Sequence, residues 1–295
     1  MEPEPEASPE QPVGVALDRF EILLIAVLVA VWVPGILQLA EVWSRVEYAS
    51  HGFLVPLVAL WAATAHRAEL ARLPPRPLRG GRLLLAAMAA LYLFALALRD
   101  PTVLGLTAVG TVVAGVLALR GIAWARVLRF PLGYLLFMVP LPGAWVTPVI
   151  VQLQLLMSSL AVAILRTAGV AIYRDGNVLV LPGDVSLFVA EACSGITSLI
   201  TLLPIGVFIA YFTEAALARR LVLVAAVVPI ALAGNLLRVL VTVGVSMELG
   251  VEAATAGPVH EWSGVATYVV ACLALVGLGA LLRRLWPEDG RGTRA

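Results

Sequence analysis

Long apolar runs that carry almost no charge recur along the chain, and they constrain its fold more than any other feature. They lie near residues 20–40, 53–65, 83–98, 103–119, 127–141, 196–212, 221–247 and 263–282. About 20 apolar residues in a helix suffice to cross a hydrocarbon core of about 30 Å. Hydrophobic residues make up 61% of the chain and charged residues 13%, against about 25% charged in a soluble domain. The pattern predicts an all-α polytopic membrane protein with about eight transmembrane helices.

The predicted domain organisation is a single transmembrane domain at residues 19–285, between a disordered leader at 1–18 and a flexible tail at 286–295. The leader is rich in proline and glutamate, a composition typical of disorder. It lacks the basic region of a cleaved signal peptide, so we expect the first span to be retained.

Arginines orient the predicted spans, because every one of the 20 basic residues is an arginine. They cluster at residues 66–82, 120–129, 219–220 and 283–284. The positive-inside bias places these regions and both termini in the cytoplasm. It places two other loops at the outer face, since 141–147 has no charge and 248–262 has three glutamates and no arginine.

The segment 145–166 is more polar than its neighbours, since it contains Gln152, Gln154 and Ser158. A further crossing there would also contradict the arginine pattern, so we expect an interfacial or re-entrant helix at the outer face. The piece after it, residues 170–182, alternates apolar and polar residues around Asp175–Gly176. That pattern predicts a short β-hairpin, also outside.

Three residues that could take part in catalysis come from different predicted elements. All three fall on the outer side of the membrane, at a similar depth. Cys193 stands at the outer, N-terminal end of the span near 196–212, where unpaired N–H groups and the helix dipole favour a thiolate. Arg238 lies about 26 Å along its helix from Leu221, near the outer boundary of the core. His260 ends the last outer loop. A thiol, a base and a fixed cation are sufficient for thiol acyl transfer.

Each of these residues also has a purely structural interpretation. A lone cysteine in a membrane helix is more often a packing residue, and Cys272 is interpreted in that way. Arg238 by itself is compatible with snorkelling to the headgroups, and His260 with a loop histidine satisfied by Glu261 or Trp262. The coincidence of all three favours a catalytic site.

Three motifs in order, EACSG (191–195), NLLR (235–238) and HEWSG (260–264), resemble the exosortase/archaeosortase family of membrane transpeptidases. Two upstream segments agree: VWSRVEYASHGFLVP (42–56) and RFPLGYLLFMVPLP (129–142). RDGNVLVLPG (174–183) is similar to the family's strand before the cysteine. The resemblance covers roughly residues 20–285.

The resemblance implies a cysteine transpeptidase with Cys193, Arg238 and His260 as its active site. Its expected substrates are exported proteins with a C-terminal tripartite signal: a short motif such as Pro-Glu-Pro, a transmembrane helix and a basic cluster. Cleavage at the outer face of a prokaryotic plasma (inner) membrane would precede transfer to a surface, exopolysaccharide or lipid-linked acceptor. A second tier of substrate-binding or supporting residues is Asn235, Glu191, Ser194, His51 and Tyr48. His51 either lines the site or is an interfacial residue bonded to Glu47.

Other functions fit the sequence less well. A transporter or polysaccharide-export component is the chief alternative, because a membrane arginine such as Arg238 often marks a substrate path. No inverted repeat accompanies it. The three histidines are scattered and form no HExxH or His/Cys cluster, so we expect no metal and no cofactor. No basic tract predicts nucleic-acid binding, and the expected partners are sorting-signal proteins and membrane lipids.

Overall fold

The computed structural model describes residues 18–182, 185–188, 195–255 and 258–286, and in these ranges the chain is almost entirely helical. The predicted leader and tail, apart from Asp18 and Trp286, lie outside the described residues. The helices are α1 (Arg19–Arg45), α2 (Leu54–Thr64), α3 (Arg67–Leu70), α4 (Gly81–Leu98), α5 (Pro101–Leu119), α6 (Ile122–Val127), α7 (Arg129–Tyr134), α8 (Gly143–Thr167), α9 (Ile196–Thr213), α10 (Leu217–Leu249), α11 (Val251–Thr255) and α12 (Pro258–Leu285), with 3-10 helices at Glu47–Phe53 and Leu135–Met138.

Within the described ranges, seven helices are long and apolar enough to cross a membrane: α1, α4, α5, α8, α9, α10 and α12. Many of their large apolar side chains point away from the protein; Leu83, for example, is 77% exposed. Such surfaces are stable only against lipid or another apolar partner. The protein is therefore a multi-pass all-α membrane protein, as the sequence predicts.

The chain divides into two compact units, Met1–Val46 with Ser50–Pro140, and Glu47–Ala49 with Leu141–Ala295. In the first unit, α4 and α5 pack so closely that a Cβ on Gly81 would lie 2.7 Å from the Cα of Ala118. Arg120, at the end of α5, donates to the carboxylate of Glu21 at 2.9 Å. Glu21 also completes a capping box with Asp18 at the start of α1. One end of this unit is thus tied by a largely buried ion pair.

The predicted span at 127–141 crosses the first unit in short pieces instead of one helix. Its beginning lies at the Arg120 end, where the Nε1 of Trp124 donates to the carbonyl of Leu73 at 3.3 Å. Its far end lies at the opposite end of α5, where Thr102 donates to the carbonyl of Pro140 at 2.8 Å. Pro131 contributes to the break, because it has no N–H to donate to the carbonyl of Val127 at the end of α6. The predicted span at 53–65 is likewise short, as the 11-residue helix α2.

In the second unit, α9, α10 and α12 pack around a common apolar core, which contains Leu202, Leu223, Val227 and Leu275. Cys272 lies partly buried against this core. At one end of the three helices, the fully buried carboxylate of Glu214 forms ion pairs with Arg219, at 3.0 Å, and with Arg283. We call this the Glu214 cluster. The negative charge of the buried carboxylate is thus balanced by two neighbouring cations.

Helix α8 corrects one expectation. The segment 145–166 was predicted as interfacial or re-entrant, but it is a continuous 25-residue helix of sufficient length and hydropathy to span a membrane. Two of its polar residues contact the predicted hairpin. Gln154 accepts a hydrogen bond from the side-chain amide of Asn177 at 3.2 Å, and Ser158 lies 3.3 Å from the carbonyl of Gly176. Their polarity therefore reflects contact with the hairpin turn and does not interrupt the helix.

The predicted hairpin is present as β1 (Tyr173–Asp175) and β2 (Val178–Leu181), with Gly176 at φ +61° in the turn. A strand that was not predicted, β3 (Val185–Phe188), pairs antiparallel with β2. One face of this sheet buries Leu179 and Leu187 against Val239 and Val243 of α10. Strand β3 ends five residues before Cys193 in the sequence.

Candidate active site

Helix α10 has a buried apolar stripe, formed by Leu223, Val227, Ala231 and Val239, that is interrupted by Asn235. Asn235 is completely buried, with 0% of its surface exposed. Arg238 follows three residues later, on the same helical face. A polar and a charged side chain inside a membrane-spanning helix are energetically expensive, so they mark a candidate site.

Asn235 packs against Gly195, which precedes the first residue of α9. A Cβ placed on Gly195 would lie 3.2 Å from the Nδ2 and 3.3 Å from the Cγ of Asn235. Gly195 also has φ +88°, a left-handed conformation that side chains other than glycine's seldom adopt. Both the space and the backbone conformation therefore favour glycine at position 195.

Arg238 packs against Gly264 of α12. A Cβ placed on Gly264 would lie 3.5 Å from the Nη2 and 3.6 Å from the Cζ of Arg238. The two helices are also close one turn away, where a Cβ on Gly234 would lie 3.0 Å from a methyl carbon of Thr267. The guanidinium of Arg238 is thus placed directly on the backbone of α12.

His260 lies four residues before Gly264, in the first turn of α12. Residues four apart share one face of a helix, so His260 is one turn from the position that Arg238 contacts. The structure describes the backbone at His260, and its side chain is outside the description. The predicted residues Glu191, Cys193 and Ser194 also lie outside the described residues. Cys193 is tied to the site through the chain, because Gly195 is two residues later.

Tyr48 lies beside the beginning of α9. It packs on a small apolar cluster formed by Val146 and Ile150 of α8 and by Ile196, the first residue of α9. The structure therefore places this second-tier residue next to the helix that follows Cys193.

His51 belongs to the other compact unit, where it contacts the chain near the end of the broken crossing. Its Nε2 lies 2.8 Å from the carbonyl oxygen of Phe137, and the Nε1 of Trp43 donates to the next carbonyl, that of Met138, at 3.0 Å. Gly52 lies directly against the indole of Trp43. These contacts satisfy carbonyls in an irregular segment, which membrane-embedded backbone requires.

Gly195 and Gly264 are both important for the geometry. From the sequence, Gly195 is expected only to allow a tight helix entry, and Gly264 is not singled out. Each is the last residue of a Ser-Gly pair that ends a motif, in EACSG and in HEWSG. The repeated Ser-Gly pair was the signal in the sequence that could have identified both glycines. Glycine permits close approach of another chain segment to the backbone. Among the described residues, no group of three or more His, Cys, Asp and Glu side chains is arranged to hold a metal ion.

The fold and this polar contact face define a class: a multi-pass membrane protein with a buried amide and a guanidinium placed against the backbones of two neighbouring helices. A family model described as a transmembrane exosortase matches residues 43–277, which include α9, α10 and the start of α12. The chain belongs to the transmembrane exosortase family, whose members are generally cysteine transpeptidases. No curated protein and no solved structure matches the chain.

Proposed function

We propose that the chain is a cysteine transpeptidase that cleaves the C-terminal sorting signals of exported, membrane-anchored proteins at the outer face of the plasma membrane. Cys193 is the nucleophile, His260 the acid–base group and Arg238 the electrostatic stabiliser. The observation that carries the proposal is the contact face of α10. It touches Gly195 of the cysteine motif through Asn235 and Gly264 of the histidine motif through Arg238.

The proposed reaction proceeds in two steps. The thiolate of Cys193 attacks the scissile carbonyl, and the tetrahedral oxyanion is stabilised by the positive charge of Arg238. The C–N bond then breaks, and the imidazolium of His260 gives its proton to the leaving amine. An acceptor nucleophile on a surface or exopolysaccharide molecule next attacks the thioester, loses its proton to His260 and releases the thiolate.

The depth of the site suits a membrane-anchored substrate. Arg238 lies about 32 Å along α10 from its first residue, Leu217, at 1.5 Å per residue. Arg219 and Arg283 lie at the opposite end, in the Glu214 cluster, and the positive-inside bias assigns that end to the cytoplasm. A substrate helix that spans the same bilayer holds its preceding motif at the outer interface, the depth of Asn235 and Arg238. Hence the substrate class is a protein with a short motif, a transmembrane helix and a basic cluster.

The test is a co-expressed reporter protein that ends in such a tripartite signal. Cys193→Ala and Cys193→Ser are expected to accumulate uncut reporter, whereas Cys272→Ser, the matched control at the other cysteine, should process it normally. Normal processing by Cys193→Ala would overturn the proposal. Transport or polysaccharide export, the alternative function, would survive the loss of the thiol.

A further inference from the structure

Asn235 interrupts the buried stripe of α10 at the level of the cysteine motif. The buried stripe residues nearest to it, Ala231 and Val239, are apolar. A buried amide has a high desolvation cost unless its polar atoms are engaged. A leucine would fill similar space without that cost, so packing alone does not account for an asparagine here.

The surroundings of Asn235 connect it to a helix start. Its Nδ2, Cγ and Cβ lie 3.2, 3.3 and 3.4 Å from a Cβ placed on Gly195, so the Nδ2 side of the asparagine packs directly on that glycine. Gly195 is the N-cap residue of α9 and supplies no side-chain cap. The first N–H groups of a helix have no acceptor inside the helix and, with its dipole, favour an anion within the first turn.

We infer that Asn235 is a positioning residue that holds Gly195, the second residue after Cys193, against α10. The inference rests on the proposed function of Cys193 as a nucleophile. By holding Gly195, Asn235 fixes the N-cap of α9 and the N–H groups that begin this helix. Arg238 lies on the same face of α10 as Asn235. Asn235 thereby favours the thiolate without touching the reacting atoms of the substrate.

The experiment measures alkylation of Cys193 by iodoacetamide as a function of pH, in Cys272→Ser protein, so that one thiol reacts. Asn235→Ala is expected to lower the rate at neutral pH about tenfold and to move the inflection of the pH profile up by about one unit. Asn235→Asp has the same size and adds a negative charge, so its inflection should also move up. If Asn235 only packs, Asn235→Ala will leave the inflection unchanged, whereas the added charge of Asn235→Asp raises it in either case.

Two matched controls separate positioning from general damage. Gly169→Ala introduces a methyl at another glycine with φ +85° but with no atom within 4 Å of it, so it shares the backbone strain of Gly195→Ala without contacting Asn235. Ser246→Ala removes another buried polar group of α10, whose hydroxyl donates to the carbonyl of Thr242. Neither control should move the inflection.

The double variant gives a second test. If Asn235 and Gly195 act as a unit, Asn235→Ala makes room for the methyl of Gly195→Ala, and the two effects on alkylation will be less than additive. Additive effects, or an unchanged inflection in Asn235→Ala, would overturn the inference. Alkylation of Cys193 needs no turnover, so it tests Asn235 independently of the proposed function. The proposed function would instead fail if Cys193→Ala cleaved the reporter.

Discussion

The guanidinium of Arg238 lies against the backbone of Gly264, with its Nη2 3.5 Å from the position of a Cβ on that glycine. Since His260 is one turn away on the same helix, this contact ties the cation to the start of α12. A single methyl at residue 264 would make an ordinary van der Waals contact, whereas a branched side chain would displace the guanidinium.

Substitutions at Gly264 should therefore depend on size. We expect Gly264→Ala to retain most reporter cleavage, and Gly264→Leu to lower it about a hundredfold, because small misplacements of catalytic groups have effects of that order. Gly277 of the same helix has no atom within 4 Å of its Cβ position, so Gly277→Leu is the control and should cleave normally. Equal activity of the two leucine variants would show that cleavage does not depend on the contact between Arg238 and Gly264.

Arg238 should be required for its charge. Arg238→Gln removes the cation and keeps a polar side chain, and kcat for reporter cleavage should fall about 10²–10³-fold, the range seen when one stabilising donor is removed from an oxyanion site. If Arg238 only reaches the headgroups, the variant will cleave the reporter at the normal rate. A thermal unfolding transition in detergent with the midpoint of the wild-type chain checks that the variant protein is folded.

Glu214 should be a major contributor to stability. Glu214→Gln leaves the buried Arg219 without its carboxylate, and breaking a buried pair in this way costs about 3–5 kcal/mol. Glu41 forms an exposed pair with Arg45, in which the side chains are 55% and 76% exposed, so Glu41→Gln should cost about 0–1 kcal/mol. Thermal unfolding in detergent compares the two variants. Similar Tm values would mean that the Glu214 cluster is not a structural clamp.

His51 should support structure and not chemistry. His51→Ala removes the partner of the Phe137 carbonyl, which should destabilise the protein by about 1–3 kcal/mol if that carbonyl remains buried. The alkylation profile of Cys193 should keep its inflection. A shifted inflection would instead place His51 among the residues that tune the thiol.

The sidedness of the chain can be tested with new cysteines in a Cys193→Ser, Cys272→Ser background. Thr255 is exposed in α11, and Gly80 is exposed between the arginines of residues 66–82. A membrane-impermeant maleimide should label Thr255→Cys in intact spheroplasts and Gly80→Cys only after lysis. The reverse pattern would invert the topology and place the proposed site in the cytoplasm.

The sequence predicted the parts of the fold that depend on uninterrupted patterns. The spans near 83–98 and 196–212 match α4 and α9 closely, because an unbroken apolar run in a membrane must satisfy its backbone as a helix. The Asp175–Gly176 turn was predicted because glycine tolerates the positive φ found there.

Features that depend on tertiary contacts were not predictable in the same way. The polar residues of α8 suggested an interfacial segment. The sequence does not show that Gln154 bonds to Asn177 and Ser158 to the carbonyl of Gly176. Strand β3 is four residues long and exists through pairing with β2. At the candidate site, the sequence indicated Asn235 and Arg238, but only the packing of α10 shows which glycines they contact.

The proposed function depends on a thioester between Cys193 and the substrate, which the intact mass of the enzyme detects after mixing with the reporter and quenching in acid. We expect an adduct on Cys193 with the mass of the reporter up to its cleavage site, released by hydroxylamine and lost in Cys193→Ser. Turnover of the reporter with no such adduct in the wild-type chain, or with the adduct on another residue, would contradict it.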